Sequence, residues 1–229
     1  MKRAAAEEAV EAVESGMVVG LGHGSTTWFA IRRIGELLAN GSLRNVRGVP
    51  CSSRVRKDAE EFGVPLVTLE EEPVVDLTID GADEVDDELN LIKGGGGALL
   101  REKVVAQASR REIIVVDESK LSPALGTGFA LPVEVVRFAR RPEEEFLVSL
   151  GADVSVRRHE DGKLFLTDQG NVILDCGFGP IEDPARLAER LEMRAGIMAH
   201  GLFLGLASEA LVGGPDGVRR LEPPMGGVH

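Results

Sequence analysis

The sequence predicts an α/β protein in which a parallel-sheet domain is followed by a smaller α+β domain. Over the first half of the 229-residue chain, strand-length apolar segments alternate with helical segments. Such alternation is typical of a parallel sheet covered by helices. After about residue 128, short strands lie close together, and a tight turn at 168–170 joins two of them, as in a hairpin. The length is sufficient for one large domain with a smaller partner.

The elements of the first domain follow from apolar periodicity and from the residues that begin and end helices. Glycines at 16, 41 and 63 favour helix C-termini, and Ser52 or Ser53 favours an N-terminus. We predict helices over 2–15, 26–39, 54–62 and 98–109, and strands over 17–21, 46–50, 64–69, 74–80 and 112–117.

The second part of the chain has the pattern of a small α+β domain. We predict strands over 131–136, 153–156, 164–167 and 171–175, helices over 142–150 and 184–193, and short strands over 202–206, 210–212 and 218–221 that return to the first domain. The predicted class is a Rossmann-like parallel-sheet domain at 1–127 plus 200–229, with a ferredoxin-like α+β domain at 128–199.

Composition and charge exclude several classes of function. Apolar residues make up 43% and charged residues 28% of the chain, as in a soluble globular protein. The formal net charge of −12 disfavours nucleic acid and anionic membranes as partners, because both require a basic surface. The apolar runs are too short to span a bilayer, and the N-terminus lacks the apolar core of a signal peptide. We therefore expect a cytoplasmic protein, with Cys51 and Cys176 as free buried thiols.

A glycine-rich loop, Gly22-His23-Gly24-Ser25-Thr26, lies between the first predicted strand and the helix that follows it. Backbone N–H groups at a helix N-terminus attract anions, and Ser25 and Thr26 add hydroxyl donors. The loop therefore indicates a phosphate site, with a simple tight turn as the alternative. His23 is either a catalytic base or a spacer in the backbone.

Acidic residues follow the strand that ends at Asp80, in the segment Asp80-Gly81-Ala82-Asp83. Ligands of parallel sheets bind beyond the carboxyl ends of the strands, so a carboxylate at Asp80 faces the expected binding crevice. Paired acids could hold Mg²⁺. Since Lys93 follows closely and would compete as their counter-ion, carboxylates that bind sugar hydroxyls are the better interpretation.

Four consecutive glycines, Gly94 to Gly97, follow Lys93 and precede a predicted helix that contains Glu102. Ordering four glycines is entropically costly, and a backbone that approaches a ligand explains them better than a flexible spacer does. Glu102 lies just over one turn into the helix, at the border of its apolar face. From its position alone it is either a surface residue or an active-site carboxylate. The later strand and loop at 115–120, which ends with Lys120, indicate little by themselves.

Together these segments resemble type A ribose 5-phosphate isomerase. The matching blocks are GHGST at 22–26, IDGADEVD at 79–86, IKGGGGALLREK at 92–103, VVDESK at 115–120, LPVEV at 131–135, TDQGNVILD at 167–175 and GPDGV at 214–218. They occur in the order and spacing of the family over essentially the whole chain. The combination of KGGGG with DGADE is highly specific.

The resemblance implies a role for each matching residue. Glu102 would be the general base, Asp80, Asp83 and Lys93 would act in ring opening and bind the sugar hydroxyls, and Lys93 with the glycine backbone would stabilise an enediolate. The family commonly has Thr where this chain has His23, so we expect that position to act through its backbone. The implied substrate-binding residues are Lys2, His23, Gly24, Ser25, Thr26, Gly81, Ala82, Gly94, Gly95, Gly96 and Lys120.

The resemblance also implies the reaction and its setting. We expect a homodimer that interconverts ribose 5-phosphate and ribulose 5-phosphate in the non-oxidative pentose phosphate pathway. Its expected partner is a small-molecule sugar phosphate, with no nucleic acid, membrane, cofactor or metal. Two alternatives have similar folds. A sugar-phosphate sensor domain would need a basic helix-turn-helix segment, and an acyl-CoA transferase would leave Asp80, Asp83 and Lys93 without clear roles.

Overall fold

The computed structural model describes residues 1–224 and divides the chain into two compact units. The first unit contains Met1–Ala82, Arg101–Lys120 and the described residues from Gly205 onward. The second contains Asp83–Leu100 and Leu121–Leu204. Within residues 1–224, no helix combines the length and apolar character needed to cross a bilayer.

The helices and strands alternate along the chain. The α-helices of residues 1–224 are α1 (Lys2–Val10), α2 (Thr27–Ala39), α3 (Ser53–Glu61), α4 (Leu99–Gln107), α5 (Arg140–Ser149) and α6 (Pro184–Glu192). The strands are β1 (Val18–Leu21), β2 (Arg47–Pro50), β3 (Leu77–Asp80), β4 (Glu84–Val85), β5 (Leu91–Ile92), β6 (Glu112–Asp117), β7 (Leu131–Val135), β8 (Asp153–Val156), β9 (Val172–Gly177), β10 (Ile197–His200), β11 (Leu202–Phe203), β12 (Glu209–Gly214) and β13 (Gly217–Leu221).

A six-stranded sheet in the order β13-β12-β6-β3-β1-β2 forms the centre of the first unit. Neighbouring strands from β12 to β2 are parallel, and β13 is an antiparallel edge strand. Val19, Ile79 and Val115 pack in one buried cluster with Ala9 of α1 and Ile34 of α2. Burying each branched apolar side chain contributes about 1.5–3 kcal/mol, which explains why these strands are almost continuously apolar.

Gly20 lets α4 approach the sheet closely. A Cβ atom at Gly20 would lie 1.9 Å from Thr78 Oγ1 and 2.7 Å from Val105 Cγ1 of α4. Ser109 strengthens the same contact, since its hydroxyl lies 2.6 Å from Thr78 Oγ1 and donates to the Val105 carbonyl at 2.6 Å. These contacts fix α4, and with it the first helical turn that carries Glu102.

The second unit contains a four-stranded antiparallel sheet in the order β10-β7-β9-β8. Its chain order β7-α5-β8-β9-α6-β10 is the ferredoxin-like arrangement, which confirms the predicted α+β class. Val133 and Leu174 of the sheet pack with Leu147 of α5 and Leu191 of α6. A small antiparallel sheet, β11-β5-β4, completes this unit.

Two predicted strands are absent from the described structure. In 64–69, only Leu66 forms a bridge, to Gly48, and Pro65 has no N–H with which to continue the ladder. In 164–167, only Leu164 forms a bridge, to Arg158. The predicted hairpin partner of 164–167 is β9, but β7 and β8 already occupy both edges of that strand.

The other differences concern boundaries. The first helix ends at Val10 rather than near residue 15. The predicted strand at 202–206 is shortened to β11, which pairs with β5 in the second unit instead of returning to the first. The strands β4, β5 and β11 form their own sheet in the second unit. The second unit also contains residues 83–100, 121–127 and 200–204, which the sequence assigned to the first domain at 1–127 plus 200–229. The expected free thiols are confirmed, since Cys51 and Cys176 are both buried and unbridged.

Candidate active site

The parallel strands of the first unit bring four loops to one edge of the sheet. The glycine-rich loop 22–26 follows β1, Cys51 follows β2, Gly81 follows β3 and a 3-10 turn (Glu118–Lys120) follows β6. Parallel strands end on the same side, so residues far apart in the sequence become neighbours here. The loops after these strands therefore lie at one edge of the sheet, as the sequence predicted.

Asp80, the last residue of β3, is enclosed by the glycine-rich loop. Its side chain is 1% exposed, and its Oδ1 atom accepts hydrogen bonds from the N–H groups of His23 at 3.0 Å and Gly81 at 2.7 Å. A Cβ atom at Gly22 would lie 2.2 Å from the same carboxylate. Glycine is thus required at Gly22, because the loop backbone must pass directly over Asp80. Charge-assisted bonds from backbone N–H groups help to offset the cost of burying this carboxylate.

Glu102 lies beside Asp80 in a buried cluster. Glu102 is 4% exposed and stands in the first turn of α4, where the helix dipole favours an acidic side chain. One carboxylate oxygen from each acid and the Sγ atom of Cys51 all lie within 4.8 Å of one another. Two carboxylates in a water-poor environment can exchange protons with a bound substrate.

Cys51 is the member of this cluster that the sequence did not indicate as a site residue. It reads as an ordinary buried thiol, and the only signal was its position at the end of β2, on the same sheet edge as Asp80. Sulfur and carboxylate oxygen are ligands that Zn²⁺ accepts, so Cys51, Asp80 and Glu102 are the described residues that could hold a metal ion.

A second group of predicted residues surrounds Asp117 at the end of β6. The Lys2 ammonium group donates to Ser25 Oγ at 3.2 Å and lies 3.7 Å from Asp117 Oδ2. The hydroxyl of Ser119 donates to Asp117 and is the main reason that the pKa of this carboxyl is lowered, with further contributions from the Ser119 N–H and the charges of Lys2 and Lys120. Lys2, Ser25 and Lys120 are therefore brought to one region, as expected for a phosphate site.

The start of the chain is held in place by β12. A Cβ atom at Gly213 would lie 2.5 Å from the Met1 carbonyl oxygen, so only glycine lets α1 begin this close to the sheet. The packing of α1 against β6 and β12 then fixes the position of Lys2.

The loop between β1 and α2 is held by side chains on both sides. His23 Nδ1 lies 2.9 Å from Ser52 Oγ, and Ser52 also caps α3 by accepting from the Val55 N–H at 3.1 Å. The Thr27 hydroxyl donates to the Gly24 carbonyl at 2.9 Å. The side chain of His23 thus connects two loops, in addition to the backbone contribution that the sequence predicted. Gly24 and Ser25 are exposed, whereas Thr26 is buried.

The second unit contains the other predicted catalytic residues. Asp83 Oδ2 accepts the Gly95 N–H at 2.7 Å, and a Cβ atom at Gly95 would lie 2.6 Å from Asp83 Oδ1. Lys93 is 1% exposed, and its ammonium group lies 5.4 Å from the centroid of the Phe203 ring. Its N–H donates to the Gly201 carbonyl at 2.9 Å. A long charged side chain buried to this extent indicates a function beyond solubility.

The glycine run is a packed loop rather than a flexible spacer. Gly94 and Gly97 have φ angles of 109° and 80°, in the region that favours glycine. A Cβ atom at Gly97 would lie 2.3 Å from Phe165 Cζ. Gly94 and Gly97 are buried, whereas Gly95 and Gly96 between them are exposed. The loop therefore presents the peptide groups of its tip while its two ends are fixed.

Comparison with known proteins agrees with these features. Residues 47–217 match the family described as ribose 5-phosphate isomerase A (phosphoriboisomerase A). The chain belongs to this family. It is 57% identical over 222 residues to the ribose-5-phosphate isomerase A of Desulfatibacillum aliphaticivorans, covering 97% of this chain and 96% of the relative. It is 58% identical over 220 residues to that of Chloroflexus aurantiacus, covering 96% and 92%.

Solved structures of ribose 5-phosphate isomerases have the same fold. One of them, in complex with phospho-erythronic acid, superposes with a TM-score of 0.94 at 37% identity, covering 96% of this chain and 97% of that one. The enzyme of Plasmodium falciparum superposes with a TM-score of 0.93 at 40% identity, with the same coverage. The alternatives of an acyl-CoA transferase and a sensor domain find no support in these comparisons.

Proposed function

We propose that this protein interconverts ribose 5-phosphate and ribulose 5-phosphate, with Glu102 as the base that moves the proton. The observation that carries the proposal is the buried position of Glu102, with a carboxylate oxygen within 4.8 Å of one from Asp80. A base that serves two adjacent carbons must be held in one place, and the first turn of a packed helix provides that.

The chemistry proceeds through the open-chain sugar. The substrate opens to its aldehyde, and Glu102 removes the proton on C2 to give a cis-enediolate. The same carboxyl then returns a proton to C1, which produces the ketose. Asp80, Asp83 and Lys93 assist ring opening and bind the hydroxyls, and this part of the proposal rests on the family resemblance. A negative charge develops on oxygen during the reaction, and by the same resemblance Lys93 with the backbone N–H groups of Gly94 and Gly96 would stabilise it. The Gly95 N–H, which the resemblance also implied, donates to Asp83 instead.

The phosphate group serves to position the substrate. We assign it to Lys2, Ser25, Thr26 and Lys120, with Gly24 and the backbone of His23 forming the loop around it. The contact of Lys2 with Ser25 and the closeness of both lysines to Asp117 support this assignment. Binding energy from the phosphate holds the reacting carbons against the base without entering the chemistry. Gly81 and Ala82, which follow Asp80, complete the proposed substrate-binding set.

The setting of the reaction is part of the same proposal. We propose a homodimer that acts in the cytoplasm, in the non-oxidative pentose phosphate pathway, and that requires no cofactor or metal. Light scattering after gel filtration measures the oligomeric state. A mass of one or four subunits would contradict the dimer.

A coupled assay for the formation of ribulose 5-phosphate from ribose 5-phosphate tests the reaction. We expect turnover that is unchanged after dialysis against EDTA. An inactive protein would refute the proposed function. Activity that is lost in EDTA and restored by added Zn²⁺ or Mg²⁺ would instead assign a metal ion to Cys51, Asp80 and Glu102.

A further inference from the structure

We infer that Arg157 is a positioning residue for the reaction, because it holds the peptide groups at the tip of the glycine loop. The inference rests on the proposed function, in which this loop stabilises the enediolate. Arg157 follows β8 and is separated from the loop by more than sixty residues of sequence. None of the sequence motifs indicated it.

Arg157 contacts Asp175 on one side and the glycine loop on the other. Its Nε atom donates to Asp175 Oδ2 at 2.9 Å, and its Nη2 atom donates to the other oxygen of Asp175, so the pair is bidentate. Its Nη1 atom donates to the carbonyl oxygens of Gly94 at 2.6 Å and Gly95 at 3.1 Å. Only the planar guanidinium group can satisfy a carboxylate on one edge and two carbonyls on another.

The pair formed by Arg157 and Asp175 is held by the sheet and is largely shielded from solvent. Asp175 lies in β9, which is paired on both sides, and the side chains of Arg157 and Asp175 are 14% and 23% exposed. The guanidinium carbon also lies 5.9 Å from the centroid of the Phe165 ring, and Phe165 is the side chain that packs against Gly97. The glycine loop is therefore held by the side chains of Arg157 and Phe165, and Arg157 is itself bound to the sheet of the second unit through Asp175.

Because of the geometry of the peptide bond, the hydrogen bonds from Arg157 to the loop carbonyls also orient the N–H groups of the loop. In a trans peptide, the C=O and the N–H of the following residue point in opposite directions. The peptide between Gly94 and Gly95 is held at both ends, since Arg157 binds its carbonyl and Asp83 accepts its N–H at 2.7 Å. The peptide between Gly95 and Gly96 is held by Arg157 at its carbonyl, which turns the Gly96 N–H away from Arg157.

The Gly96 N–H is therefore the donor whose direction depends most on Arg157. Gly96 is exposed at the tip of the loop, where a substrate oxygen can reach it. A preorganised N–H group aimed at a developing oxyanion contributes to the rate and little to ground-state binding. Loss of Arg157 should thus reduce kcat rather than raise KM.

The test compares Arg157→Lys and Arg157→Met with Arg158→Lys, a matched control whose guanidinium donates to the exposed turn carbonyl of Gly162. We expect kcat of both Arg157 variants to fall by about 10- to 100-fold, as when a reacting group is displaced by about 1 Å. KM should change by less than about threefold. Arg157→Lys should retain more activity than Arg157→Met, because an ammonium group can still bind one carbonyl.

Binding of phospho-erythronic acid separates positioning from simple loss of stability. This sugar-acid phosphate is the ligand of a related structure, and its carboxylate mimics the charge of an enediolate. Its affinity for the Arg157 variants should fall in parallel with kcat/KM, while the affinity for inorganic phosphate should stay at the wild-type value. A variant with lowered melting temperature but unchanged kcat and unchanged affinity for phospho-erythronic acid would overturn the inference.

Asp175→Asn provides a second variant if Arg157 variants fold poorly. This variant keeps the guanidinium group but removes the negative charge of residue 175, to which Arg157 binds. We therefore expect kcat to fall, but by less than in the Arg157 variants. Wild-type-like kcat in Asp175→Asn together with wild-type-like kcat in Arg157→Lys would also overturn the inference. An inactive wild-type protein would refute the proposed function itself, whereas an active wild type with unaffected variants would refute only the role of Arg157.

Discussion

The proposed role of Lys2 in phosphate binding is supported by the fold and not by its position in the sequence. In the sequence, Lys2 is a basic residue near the N-terminus, far from the loops that carry the other candidate ligands. In the structure, α1 places its ammonium group 3.2 Å from Ser25 and 3.7 Å from the carboxylate of Asp117. The side chain remains 43% exposed, so it can exchange this ion pair for a phosphate.

Replacing Lys2 should weaken phosphate binding specifically. We expect Lys2→Gln to raise KM for ribose 5-phosphate by about tenfold, the effect of losing one charge-assisted hydrogen bond, with kcat nearly unchanged. Steady-state kinetics of Lys2→Gln and of the control Lys163→Gln, whose ammonium group pairs with exposed Asp161, measure this. Equal KM values for Lys2→Gln and the control would exclude Lys2 from the phosphate site.

Asp117 should give the stability of the protein a defined dependence on pH. Its folded pKa lies below the ordinary value of 3.8, chiefly because Ser119 donates to it. The ionised form is therefore favoured by folding. This contribution is fully present above the unfolded pKa and is lost as the pH falls through the lower, folded value.

Comparison of the wild type with Asp117→Asn tests that dependence. The variant should be less stable than the wild type at about pH 7. The difference should be smaller at about pH 3, below the ordinary value of 3.8, because there the unfolded chain takes up the proton that the folded carboxyl resists. Urea unfolding at both pH values gives the free energies. A difference of the same size at both would contradict this account of Asp117.

At the scale of elements, α3 is connected to the candidate site through its N-cap. Ser52 accepts the Val55 N–H and also lies 2.9 Å from His23 Nδ1, so one hydroxyl serves the helix and the loop that encloses Asp80. The N-terminus of α6, in the second unit, offers a matched case in which the Asp183 carboxylate accepts the Arg186 N–H at 2.9 Å.

Removing the two caps should separate helix stability from activity. Ser52→Ala and Asp183→Ala should each lower the free energy of unfolding by about 1 kcal/mol, the usual contribution of an N-cap. Only Ser52→Ala should also reduce kcat, because it removes the hydroxyl that contacts the His23 side chain in the loop that encloses Asp80. Chemical denaturation and steady-state kinetics measure the two effects. An equal loss of activity in both variants would assign the effect to stability alone.

At the scale of the whole molecule, the sequence correctly predicted the features of the fold that follow from local sequence patterns. Parallel strands with loops at their carboxyl ends follow from alternating apolar and helical segments, and they correctly placed Asp80 and the glycine-rich loop at one edge. The strand predicted at 64–69 was wrong because pairing also depends on a donor that Pro65 lacks. The one predicted at 164–167 was wrong because β9 has no free edge.

Cys51 and Arg157 could not be predicted, since their roles depend on contacts between distant segments. Cys51 lies near Glu102 because the end of β2 and the part of α4 from Arg101 onward belong to the first unit. Arg157 contacts Gly94 across more than sixty residues. Burial distinguishes them afterwards. Glu102 illustrates the same limit, because its place at the border of an apolar helix face suited a surface residue equally well until the packing of α4 against Gly20 showed it to be buried.

The role of Glu102 as the base that transfers the proton can be tested with Glu102→Gln. The amide keeps the shape of the side chain but cannot act as a base, so kcat should fall by about 10³-fold or more. The affinity for phospho-erythronic acid should stay within about threefold of the wild type, because binding does not require the base.

The matched control is Glu61→Gln at the exposed end of α3. The measurement is the conversion of ribose 5-phosphate in deuterated water, in which turnover and exchange of the C2 proton are followed together. Glu102→Gln should lose both turnover and exchange, whereas Glu61→Gln should retain both. Turnover by Glu102→Gln at a near wild-type rate would contradict the proposed role of Glu102.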